Sequence, residues 1–212
     1  MLTLQQLSDM ADLQDRLNRY VDPGWRSAGW DWNLAIMAEC TELIDQVGWK
    51  WWKHQTQAPL TQIQLEVVDI WHFVLSQAIV SGRLSEILAV LLCDPRPPST
   101  AMPFVASAAI SAAKQLCAAA ASGAPLHEIV GNFYNLLRSS RLSFDELTTL
   151  YKAKAVLNLF RWSHGYKQGT YMKQWGPVED NVYLESILHA HPNLPHEQIN
   201  TLLEQRYQEV TA

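Results

Sequence analysis

Residues 31–81 read DWNLAIMAECTELIDQVGWKWWKHQTQAPLTQIQLEVVDIWHFVLSQAIVS, and this stretch decides the fold class. Apolar residues recur at intervals of three and four, first at Leu34, Met37, Cys40, Ile44 and Val47, and then at Ile63, Val67, Ile70 and Val74. That period is typical of amphipathic α-helices. We therefore predict helices over about 31–47 and 59–81, the second starting at a proline and closed by Gly82.

The same period occurs along most of the chain. It predicts a first helix through Leu4 and Leu17, a short helix near 85–92, and further helices near 103–122, 126–139, 143–163 and 195–210. Glycines make residues 165–181 look irregular, and no run of alternating β-branched residues predicts a sheet. We therefore predict an all-α helical bundle that forms one domain over 1–212. The proline-rich segment CDPRPPSTAMP suggests a smaller helical lobe at about 94–142.

Composition excludes several classes of protein. The chain is 48% apolar and 17% charged, which is ordinary for a globular protein, and its net charge of −5 argues against non-specific nucleic-acid binding. Residues 101–123 are built from Ala and Ser and contain Lys114 and Gln115, so they fail as a membrane span. The N-terminus lacks the basic start and apolar run of a signal peptide. Three cysteines without metal-type spacing indicate a reducing, cytoplasmic location.

Two acidic pairs carry the functional signal. Glu39 and Glu42 share one face of the predicted second helix, and Glu66 and Asp69 repeat the spacing on the third. If the two helices fold back on each other, four carboxylates converge, and a hard divalent cation such as Mg²⁺ (or Mn²⁺) would relieve their repulsion. The alternative is that these acids face solvent, and the residues alone leave both interpretations open.

Asp69 and His72 also have the spacing of the Glu-x-x-His motif of di-iron bundles. Those bundles need a second such motif, which this chain lacks, so His72 is predicted to be a core or hydrogen-bonding residue.

Aromatic and basic residues suggest a nucleotide ligand. WKWWK at 49–53 follows the acidic helix, where a tryptophan could stack on a base or could instead form a hydrophobic plug. Seven of the sixteen Lys and Arg residues lie between Arg138 and Lys173, either as an anion site or as a solvated face. Lys154, Asn158 and Arg161 share one helical face, which suits a polyphosphate.

Several motifs of the sequence resemble those of a known enzyme family. LQDRLN at 13–18, AECTELID at 38–45, WKWWK at 49–53, EVVDIWHF at 66–73 and the segment 151–181 resemble the dimeric dUTP diphosphatases. These enzymes belong to the all-α nucleoside-triphosphate pyrophosphohydrolase superfamily, which includes the MazG-like enzymes. The acidic pairs indicate only the superfamily, whereas the pattern KxxxN..R…GYKxGxYxKxW…EDN with LQxxLN indicates this family. Residues 81–142 are not matched by any of these motifs.

The resemblance implies a homodimer that hydrolyses dUTP, and also dUDP, to dUMP with Mg²⁺. The metal ligands would be Glu39, Glu42, Glu66 and Asp69, with Glu39 also orienting the attacking water. Further residues would bind the phosphates and sugar (Lys154, Asn158, Arg161, Tyr166, Lys173 and Asn181) and the base (Gln14, Asn18 and Trp52).

Two other functions remain open from the sequence. A MazG-like or dCTP-directed pyrophosphohydrolase would use the same acids with another base pocket. A helical dimerisation or scaffold protein would carry the acids as solvated surface residues. The spacing of Gln14 and Asn18 does not distinguish uracil from cytosine, because an amide that flips suits either base.

Overall fold

The computed structural model describes residues 2–93, 103–191 and 194–211. Within these ranges the chain forms nine α-helices and one two-stranded antiparallel hairpin. The helices are α1 Leu4–Val21, α2 Trp32–Gln46, α3 Leu60–Val80, α4 Leu84–Cys93, α5 Ala106–Ala121, α6 Leu126–Ser139, α7 Phe144–Ser163, α8 Asp180–Ala190 and α9 His196–Thr211. The strands are β1 Gln174–Trp175 and β2 Val178–Glu179. The prediction of an all-α fold is confirmed.

Local sequence signals explain where several helices begin and end. α1 starts with a capping box, in which Thr3 and Gln6 each satisfy the other's backbone N–H. Ser143 and Glu146 make the same reciprocal pair at the start of α7, as their spacing predicts. α3 ends where Gly82 adopts a φ of 67°, a conformation that costs glycine little.

The described chain divides into two compact units, Met1–Tyr151 and Lys152–Ala212, and the division falls within α7. The N-terminal unit is built around α3, whose side chains are buried on nearly every face. Trp71 of α3 stacks on Phe133 of α6 with ring centroids 4.8 Å apart. The predicted start of a smaller lobe near residue 94 lies outside the described residues, so the domain assignment stays a prediction.

The C-terminal unit contains elements that the sequence pattern does not reveal. β1 and β2 form a hairpin with a two-residue turn, in which Gly176 takes a φ of 72° and Pro177 follows. A glycine with positive φ at the first turn position suits a tight hairpin. α8 then begins at Asp180, where the glycine-rich spacing predicted only irregular chain. The core of this unit collects Leu157, Phe160, Trp175, Leu184 and Leu203.

α3 is long and apolar enough to cross a membrane by length and composition alone. Core helices of globular proteins meet the same criterion. In α3, 67% of the most hydrophobic stretch is buried within the protein. We therefore interpret α3 as the central core helix of the N-terminal unit.

Candidate active site

α2 and α3 form the antiparallel pair that the acidic residues require. Asn33 at the start of α2 accepts a hydrogen bond from Gln77 near the end of α3. At the other end, Gln46 Nε2 of α2 lies 3.4 Å from Glu66 Oε1 in the first half of α3. Contacts between opposite ends define two helices that run in opposite directions, so the acidic face of each lies opposite that of the other.

Three of the four predicted carboxylates converge in this arrangement. Glu39, Glu42 and Glu66 each offer an oxygen, and these oxygens all lie within 4.8 Å of one another. Glu66 is buried, Glu39 is half-buried and Glu42 is exposed, so the cluster opens toward solvent on the α2 side. Asp69 is half-buried and follows Glu66 by one helical turn, outside the group of three. Its role as a fourth ligand stays a prediction.

The donor set and its spacing fit a hard divalent cation. Two unit charges about 5 Å apart repel by about 3 kcal/mol at an effective dielectric of 20, and by less where water screens them. Oxygen ligands of one Mg²⁺ lie about 2.1 Å from the ion, so that two opposite ligands are about 4.2 Å apart and two adjacent ligands about 3 Å apart. The three carboxylate oxygens lie near this geometry, and side-chain movements of about 1 Å would bring them into ligation. The cluster consists only of carboxylates, which suits Mg²⁺ or Mn²⁺ and disfavours softer metals.

The predicted base-binding amides lie in a hydrogen-bond cycle between α1 and α3. His72 Nδ1 lies 2.6 Å from Gln14 Oε1, Gln14 Nε2 donates to Asn18 Oδ1 over 2.9 Å, and Asn18 Nδ2 donates to Ser76 Oγ over 2.8 Å. Ser76 Oγ in turn donates to the backbone carbonyl of His72 over 2.8 Å. We call these four residues the hydrogen-bond cycle. His72 is buried and its ring contacts Gln14 by a hydrogen bond, which agrees with its predicted role as a core or hydrogen-bonding residue.

Tyr151 supports the cycle from α7. Its hydroxyl lies 2.8 Å from Gln14 Oε1 and 3.0 Å from the carbonyl oxygen of Met10. Burial raises the pKa of Tyr151 well above its ordinary value, so the phenol keeps its proton. Because Gln14 is itself buried, with 4% of its surface exposed, its amide orientation is fixed by these partners rather than by water. The sequence gives no sign that Tyr151 or Ser76 takes part.

The tryptophans that follow α2 are surface residues. Trp51 is 89% exposed and Trp52 57% exposed, with ring centroids 5.6 Å apart in an edge-to-face contact. This exposure contradicts a buried plug and leaves aromatic faces available for stacking. Lys50 Nζ lies 2.5 Å from Asp45 Oδ2 and, by this hydrogen bond, holds the pKa of Asp45 below its ordinary value. The base-stacking role of Trp52 stays a prediction.

In the C-terminal unit, Arg161 is held by a buried carboxylate. Its Nε and Nη2 donate to the two oxygens of Asp180 over 2.8 and 2.7 Å, and Tyr171 donates its hydroxyl to the same carboxylate over 2.7 Å. Burial by itself would raise the pKa of Asp180, but the bonds from Arg161 and Tyr171 hold it below its ordinary value. Sequence reasoning missed Asp180, since its complete burial depends on the helix α8 that it begins.

Asn181 brings two of the predicted phosphate-binding cations together. Its Oδ1 accepts from Lys154 Nζ over 2.8 Å and from Arg161 Nη2 over 3.1 Å. Asn158 Oδ1 lies 3.4 Å from Arg161 Nη1, as expected for residues on one helical face. The ring centroid of Tyr166 lies 5.9 Å from the guanidinium carbon of Arg161. The predicted residues of α7 and the loop that follows it thus form one polar group, although its phosphate-binding role stays a prediction.

Lys173 and Gly165 lie in the loop between α7 and β1. Lys173 Nζ is 3.3 Å from Glu179 Oε2; burial would lower the pKa of Lys173, but the charge of Glu179 outweighs this and raises it. Gly165 has a φ of 89°, and a side chain there would place Cβ 2.0 Å from Thr170 Oγ1. A hydrogen bond from Thr170 N to the Gly165 carbonyl closes this turn and keeps Thr170 next to Gly165. The turn therefore favours glycine at this position.

Comparison with known proteins agrees with this arrangement. A family model described as dUTPase matches residues 6–166, which include nearly all of α1, the acidic pair of helices α2 and α3, and the whole of α7. No curated protein matches the chain. Lys173, Asp180 and Asn181 lie beyond the matched residues. The match covers well over half of the chain, and the fold is all-α with converging carboxylates. The chain therefore belongs to the dUTPase family, in its helical, MazG-like form, and is a nucleotide diphosphatase.

Proposed function

We propose that this protein is a Mg²⁺-dependent enzyme that hydrolyses dUTP to dUMP and pyrophosphate, and dUDP to dUMP and phosphate. The observation that carries the proposal is the convergence of Glu39, Glu42 and Glu66 within 4.8 Å in a member of the dUTPase family. We assign Asp69 as the fourth ligand, because it lies on the same face of α3 as Glu66. Mn²⁺ is the expected substitute for Mg²⁺.

The metal, when bound, would lower the pKa of a water molecule and neutralise charge on the phosphates. Glu39, which is only half-buried, orients the attacking water and accepts its proton. Glu66 stays buried and fixes the position of the cluster on α3. Neither residue forms a covalent bond to the substrate, because a positioned water suffices for attack on phosphorus.

The remaining assignments concern substrate binding. Lys154, Asn158, Arg161, Tyr166, Lys173 and Asn181 bind the phosphates and sugar. The support is that Asn181 and Asp180 already hold Lys154 and Arg161 in defined positions. Gln14 and Asn18 bind the base, supported by their ordered amides, and Trp52 stacks on it, supported by its exposed ring.

We also propose that the enzyme is a cytoplasmic homodimer that binds neither membranes nor nucleic-acid polymers. Large exposed hydrophobic residues of the N-terminal unit support association, among them Trp30 (57% exposed) and Leu34 (61% exposed). The net charge of −5 supports the absence of nucleic-acid binding.

A comparison of four nucleotides tests the proposal. Pyrophosphate release is measured from dUTP, dCTP, dTTP and UTP, each with and without millimolar Mg²⁺. We expect release from dUTP only with Mg²⁺ and at least tenfold less from the other three. A preference for dCTP would instead assign the enzyme to the dCTP-directed pyrophosphohydrolases, and equal rates with all four would indicate a general MazG-like enzyme.

A further inference from the structure

The hydrogen-bond cycle of Gln14, Asn18, His72 and Ser76 has a direction. Gln14 donates to Asn18, Asn18 donates to Ser76, and Ser76 donates to the His72 carbonyl, while the His72 ring closes the cycle through its 2.6 Å contact with Gln14 Oε1. The oxygen and nitrogen of a side-chain amide are nearly identical in size, so packing does not decide which way an amide faces. Here the hydrogen bonds decide it.

Ser76 fixes the direction at one end. A hydroxyl has one proton, and that of Ser76 is directed to the His72 carbonyl one helical turn earlier. Toward Asn18 the same oxygen can therefore only accept, which places Asn18 Nδ2 on that side and Oδ1 toward Gln14. Ser76 is fully buried, so water does not replace either bond.

The direction that Ser76 imposes continues to Gln14. Because Asn18 Oδ1 faces Gln14, the Gln14 amide places Nε2 toward Asn18 and Oε1 toward His72 and Tyr151. The Tyr151 hydroxyl has one proton and lies near two oxygens, so it does not by itself fix the orientation of Gln14.

The direction determines which base the amides can match. Of the bonds described, Asn18 uses one N–H and one lone pair, and so keeps one of each for a ligand. Uracil presents N3–H beside carbonyl oxygens, whereas cytosine presents a bare N3 beside an amino group. An amide held in one orientation forms hydrogen bonds with the edge of one base and places donor against donor and acceptor against acceptor on the other. If every bond in the cycle were reversed, the preference between uracil and cytosine would be exchanged.

We propose that Ser76 is a positioning residue for base selection, which acts through Asn18 and makes the site prefer uracil to cytosine. The inference rests on the proposed function, in which Gln14 and Asn18 bind the base. Ser76 itself does not touch the substrate. Its role is to remove the freedom of the Asn18 amide to turn over.

Ser76→Ala tests the proposal, with Ser81→Ala as a matched control. Ser81 lies on the same helix and makes the same kind of bond, from its hydroxyl to the Gln77 carbonyl over 2.8 Å, but it has no contact with the amides. The ratio of kcat/KM for dUTP to that for dCTP should fall about three- to tenfold in Ser76→Ala, the factor that one ordinary hydrogen bond contributes. Ser81→Ala should leave the ratio unchanged. Calorimetric binding of dUMP and dCMP should show the same change in preference without turnover.

One result would overturn the proposal, namely a ratio in folded Ser76→Ala that stays within twofold of the wild-type value. A purely structural role predicts this result, because it lowers the activities toward both nucleotides by one common factor. If Ser76→Ala does not fold, Ser76→Cys keeps the side-chain volume with a weaker acceptor and is judged by the same ratio. Wild-type protein that fails to hydrolyse dUTP would instead refute the proposed function, whereas a dUTP-to-dCTP ratio that keeps its wild-type value in Ser76→Ala refutes only the role of Ser76.

Discussion

Replacement of Asp180 by alanine should destabilise the C-terminal unit more than the loss of an exposed ion pair would. Asp180 has 0% of its surface exposed and accepts two hydrogen bonds from Arg161 and one from Tyr171. Removal of one partner from a buried ion pair costs about 3–5 kcal/mol, because the other charge stays desolvated. Asn181 and Asn158 still accept from Arg161, so we expect about 3 kcal/mol for Asp180→Ala.

The assay is urea denaturation combined with hydrogen exchange of peptides from residues 152–211. Glu209→Ala is the matched control, since Glu209 accepts from Arg206 over 2.9 Å but its side chain is 65% exposed. An exposed pair of this kind contributes at most about 1 kcal/mol. If Asp180→Ala and Glu209→Ala shift the opening free energy of this unit by equal amounts, the bidentate pair does not hold the unit together.

Acid titration gives the same test a second readout. The pKa of Asp180 is lowered in the folded protein, because the bonds from Arg161 and Tyr171 outweigh the cost of burial. Its stabilisation is therefore complete above the unfolded pKa of about 3.9 and is lost as the pH falls through the folded value. Wild-type stability should lose this contribution only below about pH 4, and Asp180→Asn should show a shallower acid dependence there. Equal acid dependence in both proteins would contradict the assignment.

Three further predictions concern other parts of the molecule. Glu39→Gln should keep the wild-type melting temperature or slightly exceed it without metal, because a neutral amide relieves carboxylate repulsion, and a marked drop in differential scanning fluorimetry would contradict this. Gly165→Ala should lower the melting temperature by several degrees, since its Cβ would lie 2.0 Å from Thr170 Oγ1, whereas Gly123→Ala, with open space around its Cβ and a similar positive φ, should cost less. Sedimentation at micromolar concentration should show about twice the 24.1 kDa chain mass, and a monomer would refute the proposed dimer.

The helices and the acidic site could be predicted because both follow from local spacing. Apolar residues at intervals of three and four fix which face of α2 and α3 is buried, and the i,i+3 acids lie beside that face in any helix. The connection between α2 and α3 is long enough to let the helices fold back on each other. The sequence therefore indicates that Glu39, Glu42 and Glu66 can come together, and the structure shows that they do.

The parts that could not be predicted depend on contacts between residues distant in sequence. α8 has few core residues, with Leu184 and Ile187 on its buried side, and it follows directly on a glycine-containing hairpin. Asp180 and Ser76 look like ordinary polar residues in the sequence. Their importance comes from complete burial next to Arg161 and Asn18, which only the folded chain brings about.

We propose that the three-carboxylate cluster holds the divalent metal for dUTP hydrolysis. The most direct measurement is pyrophosphate release from dUTP across a Mg²⁺ titration, with wild-type protein and Glu66→Gln compared side by side. We expect wild-type activity that rises with Mg²⁺, and Glu66→Gln protein that is folded but retains less than a tenth of that activity at every concentration. A variant that keeps more than about a tenth has lost under about 1.4 kcal/mol of barrier, and Glu66 would then not be a ligand of the catalytic metal.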